Sequence, residues 1–292
     1  MSISGIHGVI TAMVTPFDES GAVDNDAARR LARYLVEHGS HGVVVAGTTG
    51  ENPTLTDEEQ VDLLRAVKDE IGGEATVLAG TGSNDTRHSV ELTEASTAAG
   101  ADGVLVVTPY YNKPNPAGLR AHFATVAAAT DLPVVLYNIP SRCVINMPPS
   151  LMSQIAAENE NVVAVKQANT DELGPIDGLD VLAGNDEIFL RTLEIGGTGG
   201  ILVASHVVGD EMREVYEAHG AGDADRAREA QERLAPVYEA MTVTSNPTPV
   251  KTALELMGIV SARVRLPMVE ADEEQRAAVR AALEAHGTLT PA

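Results

Sequence analysis

Eight short apolar runs alternate with amphipathic stretches along most of this chain, and that alternation constrains its fold more than any other feature. The runs cover residues 8–14, 42–46, 76–79, 103–107, 133–137, 162–166, 181–183 and 200–203. They are rich in Val, Ile and Leu with no polar alternation, the pattern of parallel strands buried on both faces. Between them, residues 57–71, 86–99, 117–129, 149–158 and 187–195 carry helical periodicity. Asp57, Glu58 and Glu59 open the first of these, where acids complement a helix dipole. This alternation predicts an α/β chain folded as a closed (β/α)8 TIM barrel, with an open doubly wound sheet as the alternative. Beyond the last run the pattern is purely helical, at residues 211–219, 223–242, 248–257 and 272–285. Pro247 and Pro249 sit where a turn meets a helix start, a tolerated place for proline. No low-complexity linker intervenes. The expected organisation is therefore a catalytic barrel over residues 1–206 and a C-terminal helical region over 207–292 packed on it.

Composition narrows the class. Hydrophobic residues make up 44% of the 292-residue chain but aromatics only 3%, so Val, Leu, Ile and Ala must build the core. A net charge of −22 leaves no basic stripe for phosphates, which argues against nucleic-acid binding. Lysines are few and the surplus acid is spread along the whole chain, which suggests a halophilic source, where salt screens repulsion between carboxylates. No apolar run approaches the roughly 18 residues of a spanning helix, so no membrane association is expected. The N-terminal residues lack the basic segment of a secretion signal. The single Cys143 excludes an intrachain disulfide and fits a reducing, cytoplasmic location.

The run at 162–166 ends on Lys166, one of only four lysines against sixteen arginines. Burial disfavours an ammonium and lowers its pKa, and a neutral amine near pH 7 attacks carbonyls to form a Schiff base. The plain alternative is a strand-end lysine reaching into solvent. Active sites of barrels lie at the C-terminal strand ends. There the sequence places Gly47-Thr48-Thr49-Gly50-Glu51, Thr108-Pro109-Tyr110-Tyr111-Asn112-Lys113-Pro114, Tyr137-Asn138-Ile139-Pro140-Ser141-Arg142, Lys166 and Gly184-Asn185-Asp186. A Schiff-base enzyme acting on a keto acid needs a neutral amine, a proton relay, a carboxylate cradle and an acceptor pocket. Lys166 fits the first and Tyr137 the second. The Gly-Thr-Thr-Gly loop offers N–H groups and hydroxyls to a carboxylate, and Arg142 offers a bidentate guanidinium to a second one. Singly, each has an ordinary explanation: turn glycines, a tyrosine filling the barrel top, a surface ion pair. Their convergence on one face carries the argument.

Together the motifs resemble the dihydrodipicolinate synthase branch of the pyruvate-dependent class I aldolase family. The resemblance runs through Gly47–Glu51 with Thr54-Leu55, through residues 107–114 and 136–142, through Val165-Lys166, and on to Asn246-Pro247-Thr248-Pro249-Val250-Lys251 and Leu266-Pro267-Met268. It implies a barrel with C-terminal helices, assembled as a homotetramer built from two dimers. It implies that Lys166 captures pyruvate, that Tyr137, Thr48 and Tyr111 form a proton relay, and that Tyr111 reaches in from a neighbouring subunit. Thr49, with Thr48, corresponds to the pyruvate-carboxylate site, Arg142 to the residue recognising the carboxylate of aspartate semialdehyde, and Gly184 and Ile201 to the pyruvate-pocket lining. Neither a metal nor a cofactor is implied, since the lysine–pyruvate imine is itself the electron sink.

Two departures favour a competing reading. Gln167-Ala168-Asn169-Thr170 follows the lysine where an acid and a glycine are usual, and strand eight carries Leu202 and His206 where smaller or amide residues are usual. These suggest an aldolase for 2-keto-3-deoxy sugar acids within the same family. A non-catalytic pyruvate-binding regulator is the reading from another class, and the intact set Lys166, Tyr137, Thr48 and Tyr111 speaks against it. Asn52, Pro53, Asp57, Gln60 and His88 stand where lysine-inhibited members carry histidines and a glutamate, although Asn84 and Tyr110 match. Weak or absent feedback by lysine is therefore expected.

Overall fold

A computed structural model describes residues 5–290; residues 1–4, on which the secretion-signal expectation partly rests, lie outside them. Eight parallel strands close on themselves in sequence order. They are β1 (Gly8–Ala12), β2 (Gly42–Val45), β3 (Thr76–Gly80), β4 (Gly103–Val107), β5 (Val134–Asn138), β6 (Val162–Gln167), β7 (Asp180–Ala183) and β8 (Gly199–Leu202). The chain is a closed barrel and not an open sheet, because β1 pairs with β8 as well as with β2. Closure is tight at Gly199, where a Cβ would meet the backbone nitrogen of Gly8 at 2.5 Å. The expected first strand ran to residue 14, but Val14 leaves the ladder because its N–H donates to His206 Nε2 at 3.1 Å. Strand five starts one residue later than expected, at Val134. The preceding Pro133 has no N–H to donate.

Side chains alternate along each strand between the barrel interior and the helical layer. Ile10, Val44, Leu78, Leu105, Val135, Tyr137, Ala164, Leu182 and Ile201 belong to the interior cluster. Val9, Val43, Val77 and Ala183 pack outward into one helix-facing cluster. Val104, Val134, Leu136, Val165 and Val181 pack into a second. The interior is thus filled by branched aliphatics, as the scarcity of aromatics requires.

The helices are α1 (Asn25–Glu37), α2 (Asp57–Ile71), α3 (Thr86–Ala98), α4 (Pro116–Ala127), α5 (Pro140–Cys143), α6 (Pro149–Glu158), α7 (Phe189–Glu194), α8 (Ser205–Gly220), α9 (Ala224–Ala240), α10 (Thr248–Leu256) and α11 (Glu273–His286). Helix α2 begins with a full capping box, Thr56 and Glu59 each closing on the other's backbone. Helix α8 starts at Ser205, six residues before the periodic segment that announced it. Its first residues, Ser205 to Gly209, are all buried, so no amphipathic pattern marks them. The chain therefore passes from residue 206 to 207 inside the short opening turn of α8, which a kink at Val208 (φ −127°, ψ 39°) separates from the rest of the helix. Leu202 of β8, Met212 of α8, Leu234 of α9, Leu254 of α10 and Val279 of α11 share one core. Truncating a buried leucine such as Leu234 or Leu254 to alanine costs about 2–5 kcal/mol. No helix among the described residues is long and apolar enough to cross a membrane.

Candidate active site

Lys166 and Tyr137 are register partners on β6 and β5, so both side chains emerge at one level of the barrel interior. The Lys166 side chain is only 4% exposed, and its Nζ lies 4.5 Å from the centroid of the Tyr137 ring. Burial pulls the lysine pKa down to about 8, with the Asp186 carboxylate pulling the other way and Arg142 adding to the depression. The lysine does not reach solvent, as its plain alternative required. Burial likewise pushes the Tyr137 phenol up to about 12, against the opposing effects of Arg142 and of a hydrogen bond with Thr48. The phenol therefore keeps its proton at neutral pH.

The loop after β2 turns back through two residues in the left-handed region, Ala46 at φ 52° and Glu51 at φ 59°. The Glu51 N–H donates to the Thr48 carbonyl at 3.1 Å and closes the turn. Thr15 Oγ1 donates to the Gly50 carbonyl at 2.6 Å. Thr49 is buried, and its Oγ1 accepts from Asn246 Nδ2 at 2.9 Å. The carbonyl of the same asparagine accepts from Arg142 Nη2 at 3.4 Å. Arg142 makes no ion pair with any described carboxylate, so its guanidinium remains available to a substrate. A cavity of about 190 Å³ opens here, lined by Thr48, Tyr110, Tyr137, Ile139, Arg142 and Cys143 among others. Burial pushes the Cys143 thiol up to about 11, which leaves it neutral.

The remaining expected site residues fall into distinct places. Lys166 does not line that cavity; its amine faces the Tyr137 ring, which does. Ile201 is fully buried inside the barrel among the interior cluster that includes Tyr137. Gly184 follows β7, and a Cβ there would meet the Ala168 nitrogen and the Gln167 carbonyl at 2.7 Å, so only glycine fits. Tyr111 is not brought to the cavity: it is 88% exposed, on a left-handed residue at φ 71°. Neither Gln167 nor His206, the residues that suggested a sugar-acid substrate, lines the cavity. Gln167 points outward, its Oε1 accepting from Asn138 Nδ2 at 3.0 Å and from the Asn169 N–H at 3.1 Å. His206 is fully buried between β1 and the β8–α8 turn, with Nδ1 donating to the Val203 carbonyl at 2.8 Å. Burial lowers its pKa to about 4, so the ring is neutral and structural.

Three charged residues that the sequence analysis gave no role of their own are buried in the fold. Asp186, just past β7, accepts from the N–H groups of Val203 and Ala204 at 2.9 and 3.1 Å, and burial still pushes it up to about 6. Above that pH it is a fixed negative charge that favours a cation on Lys166. Lys251 of α10 and Glu51 form a buried ion pair at 2.5 Å. The signal for Lys251 was present, since it too is a rare lysine within an apolar stretch.

The sequence profile of the dihydrodipicolinate synthetase family matches residues 5–286. The chain belongs to this family. It is 47% identical over 289 residues to a 4-hydroxy-tetrahydrodipicolinate synthase of Moorella thermoacetica, covering 96% of this chain and 98% of the relative. Identity to the synthase of Symbiobacterium thermophilum is 46% over 287 residues, covering 96% and 98%. The fold superposes on the dihydrodipicolinate synthase of Thermotoga maritima with a TM-score of 0.94 at 37% identity, covering 97% of this chain and 99% of that one. A family structure from Cyanidioschyzon merolae with lysine bound gives a TM-score of 0.93 at 40% identity, covering 97% and 99%. Membership accounts for the convergence of Lys166, Tyr137 and the Gly-Thr-Thr-Gly loop at one end of the barrel.

Proposed function

We propose that this chain condenses pyruvate with L-aspartate 4-semialdehyde to 4-hydroxy-tetrahydrodipicolinate through a Schiff base on Lys166. The observation that carries the reading is the buried Lys166 amine against the Tyr137 ring, with Tyr137 hydrogen-bonded to Thr48 and Arg142 on the wall of the adjoining cavity. The neutral amine adds to the pyruvate ketone. The relay through Tyr137 and Thr48 then delivers a proton to the carbinolamine hydroxyl, which leaves as water. The resulting iminium acidifies the methyl group, and loss of a proton there gives the enamine. The enamine carbon attacks the aldehyde, whose oxygen takes a proton. The amine of the bound semialdehyde then adds to the iminium carbon, closing the ring and releasing Lys166. The iminium accepts the electrons at each step, so no metal or organic cofactor has a part to play. Thr48 and Thr49 hold the pyruvate carboxylate, and Arg142 holds that of the semialdehyde.

Exposed Tyr111 completes the relay only if a second subunit covers it, so the proposed working form is an oligomer, for which the family resemblance implies a homotetramer built from two dimers. The test of the substrate is a parallel assay of aspartate semialdehyde and 2-keto-3-deoxygluconate chemistry. Preference for the semialdehyde supports the proposal, and preference for the sugar acid overturns it. Gln167 and His206 are turned away from the cavity, so they no longer favour the sugar-acid aldolase.

Two further outcomes follow. His88 is engaged with Asp57 at 2.8 Å rather than left free, and no glutamate takes its place. Lysine at sub-millimolar concentration should therefore leave initial rates unchanged; strong inhibition there contradicts this. With a net charge of −22, self-repulsion should ease as salt rises. The unfolding midpoint should climb between dilute buffer and molar potassium chloride, and a fall over that range argues against the halophilic assignment.

A further inference from the structure

Glu51 ends the Gly-Thr-Thr-Gly loop in a left-handed conformation that a residue bearing a Cβ adopts only when its surroundings impose it. Both of its carboxylate oxygens are tied to the C-terminal region. Oε1 accepts from Lys251 Nζ at 2.5 Å, and Oε2 accepts from the Arg265 N–H at 2.9 Å. Lys251 has no exposed surface, and its Nζ also donates to the Arg263 carbonyl at 2.7 Å and lies 4.1 Å from the centroid of the Phe17 ring. Two hundred residues separate the partners, so α10 clamps a loop that local sequence could not hold by itself. The backbone N–H of the clamped glutamate closes onto the Thr48 carbonyl, and the next residue, Thr49, is tethered to Asn246 just before α10. A buried ion pair seldom adds net stability over apolar residues of similar volume, so stability alone gives little reason for this one.

We infer that Lys251 is a positioning residue for the reaction: through Glu51 it fixes the turn that presents Thr48 and Thr49 to the carboxylate of the keto acid. This rests on the proposed pyruvate site. The C-terminal helices are then part of the substrate site's support and not only a cover for the barrel.

The experiment compares the parent with E51Q/K251M, which removes both buried charges while keeping side-chain volume, and with E51D, which keeps both charges and shortens one side chain. Three quantities are read: the unfolding midpoint, the pyruvate concentration giving half-maximal borohydride trapping on Lys166, and KM for the semialdehyde. The double variant should unfold close to the parent, need about tenfold more pyruvate for half-trapping, and keep its semialdehyde KM within about threefold. A double variant that traps pyruvate at the parent's concentration overturns the inference and leaves the pair a structural weld. So does a rise in semialdehyde KM that matches the rise for pyruvate, because a general loosening would move both. If the double variant does not fold, E51D decides. Its carboxylate stays charged beside Lys251 but is one methylene too short to reach both Lys251 and the Arg265 N–H, so half-trapping should rise about threefold; an unchanged value overturns the inference. A parent that traps no pyruvate overturns the reading of the site itself, an outcome distinct from these.

Discussion

A Lys166→Met variant should lose about 10⁴-fold or more of its turnover while folding at least as well as the parent. The first effect follows because the proposed mechanism holds pyruvate covalently on this amine, and removing a nucleophile costs orders of magnitude. The second follows from the pKa. The folded value is about 8, against about 10.4 in an unfolded chain. A depressed lysine pKa is a destabilising contribution. It is present in full below pH 8 and fades as pH rises from 8 towards 10.4, where only the unfolded chain still binds the proton. Methionine of similar length removes that contribution, which is on the order of 3 kcal/mol. Unfolding midpoints at neutral pH and initial rates check the two halves separately. In the parent, the rate of imine formation should rise with pH as the amine loses its proton and level off above about 8. A flat profile from pH 6 to 9 would count against the buried-amine account.

Replacing Tyr137 with phenylalanine should reduce turnover by about 10²–10⁴-fold, the usual contribution of a positioned proton donor. The ring itself is retained, so the packing against the Lys166 amine and the cavity wall survive. What disappears is the phenol that bonds Thr48 and holds its proton up to a pKa of about 12. The variant should still become labelled by pyruvate and borohydride, but slowly. Full turnover in Tyr137→Phe would remove the tyrosine from the relay and leave Thr48 to act with another donor.

Much of the barrel was legible because each strand is a short unbroken aliphatic run and each outer helix is amphipathic. The start of α8 was not, because its first residues are buried on every side and carry no period. Lys166 stood out as a rare charge ending an apolar strand. The same logic applied to Lys251, but its partner Glu51 lies across the fold, and nothing local in the sequence joins them. Gln167 and His206 were departures that suggested a sugar-acid acceptor, and neither lines the cavity. A strand has period two, so the neighbour of an inward lysine must face outward, and Gln167 does. The burial of Asp186 was hidden for a different reason: its environment is made by the β8–α8 turn, whose N–H groups converge on it only in the folded chain.

The most direct test is borohydride reduction of the enzyme with pyruvate, followed by intact mass and peptide mapping, with the same preparation assayed on aspartate semialdehyde. One pyruvate-derived adduct per chain, mapped to Lys166, is expected together with turnover of the semialdehyde. Labelling at another lysine, or no labelling with the semialdehyde still consumed, would contradict it.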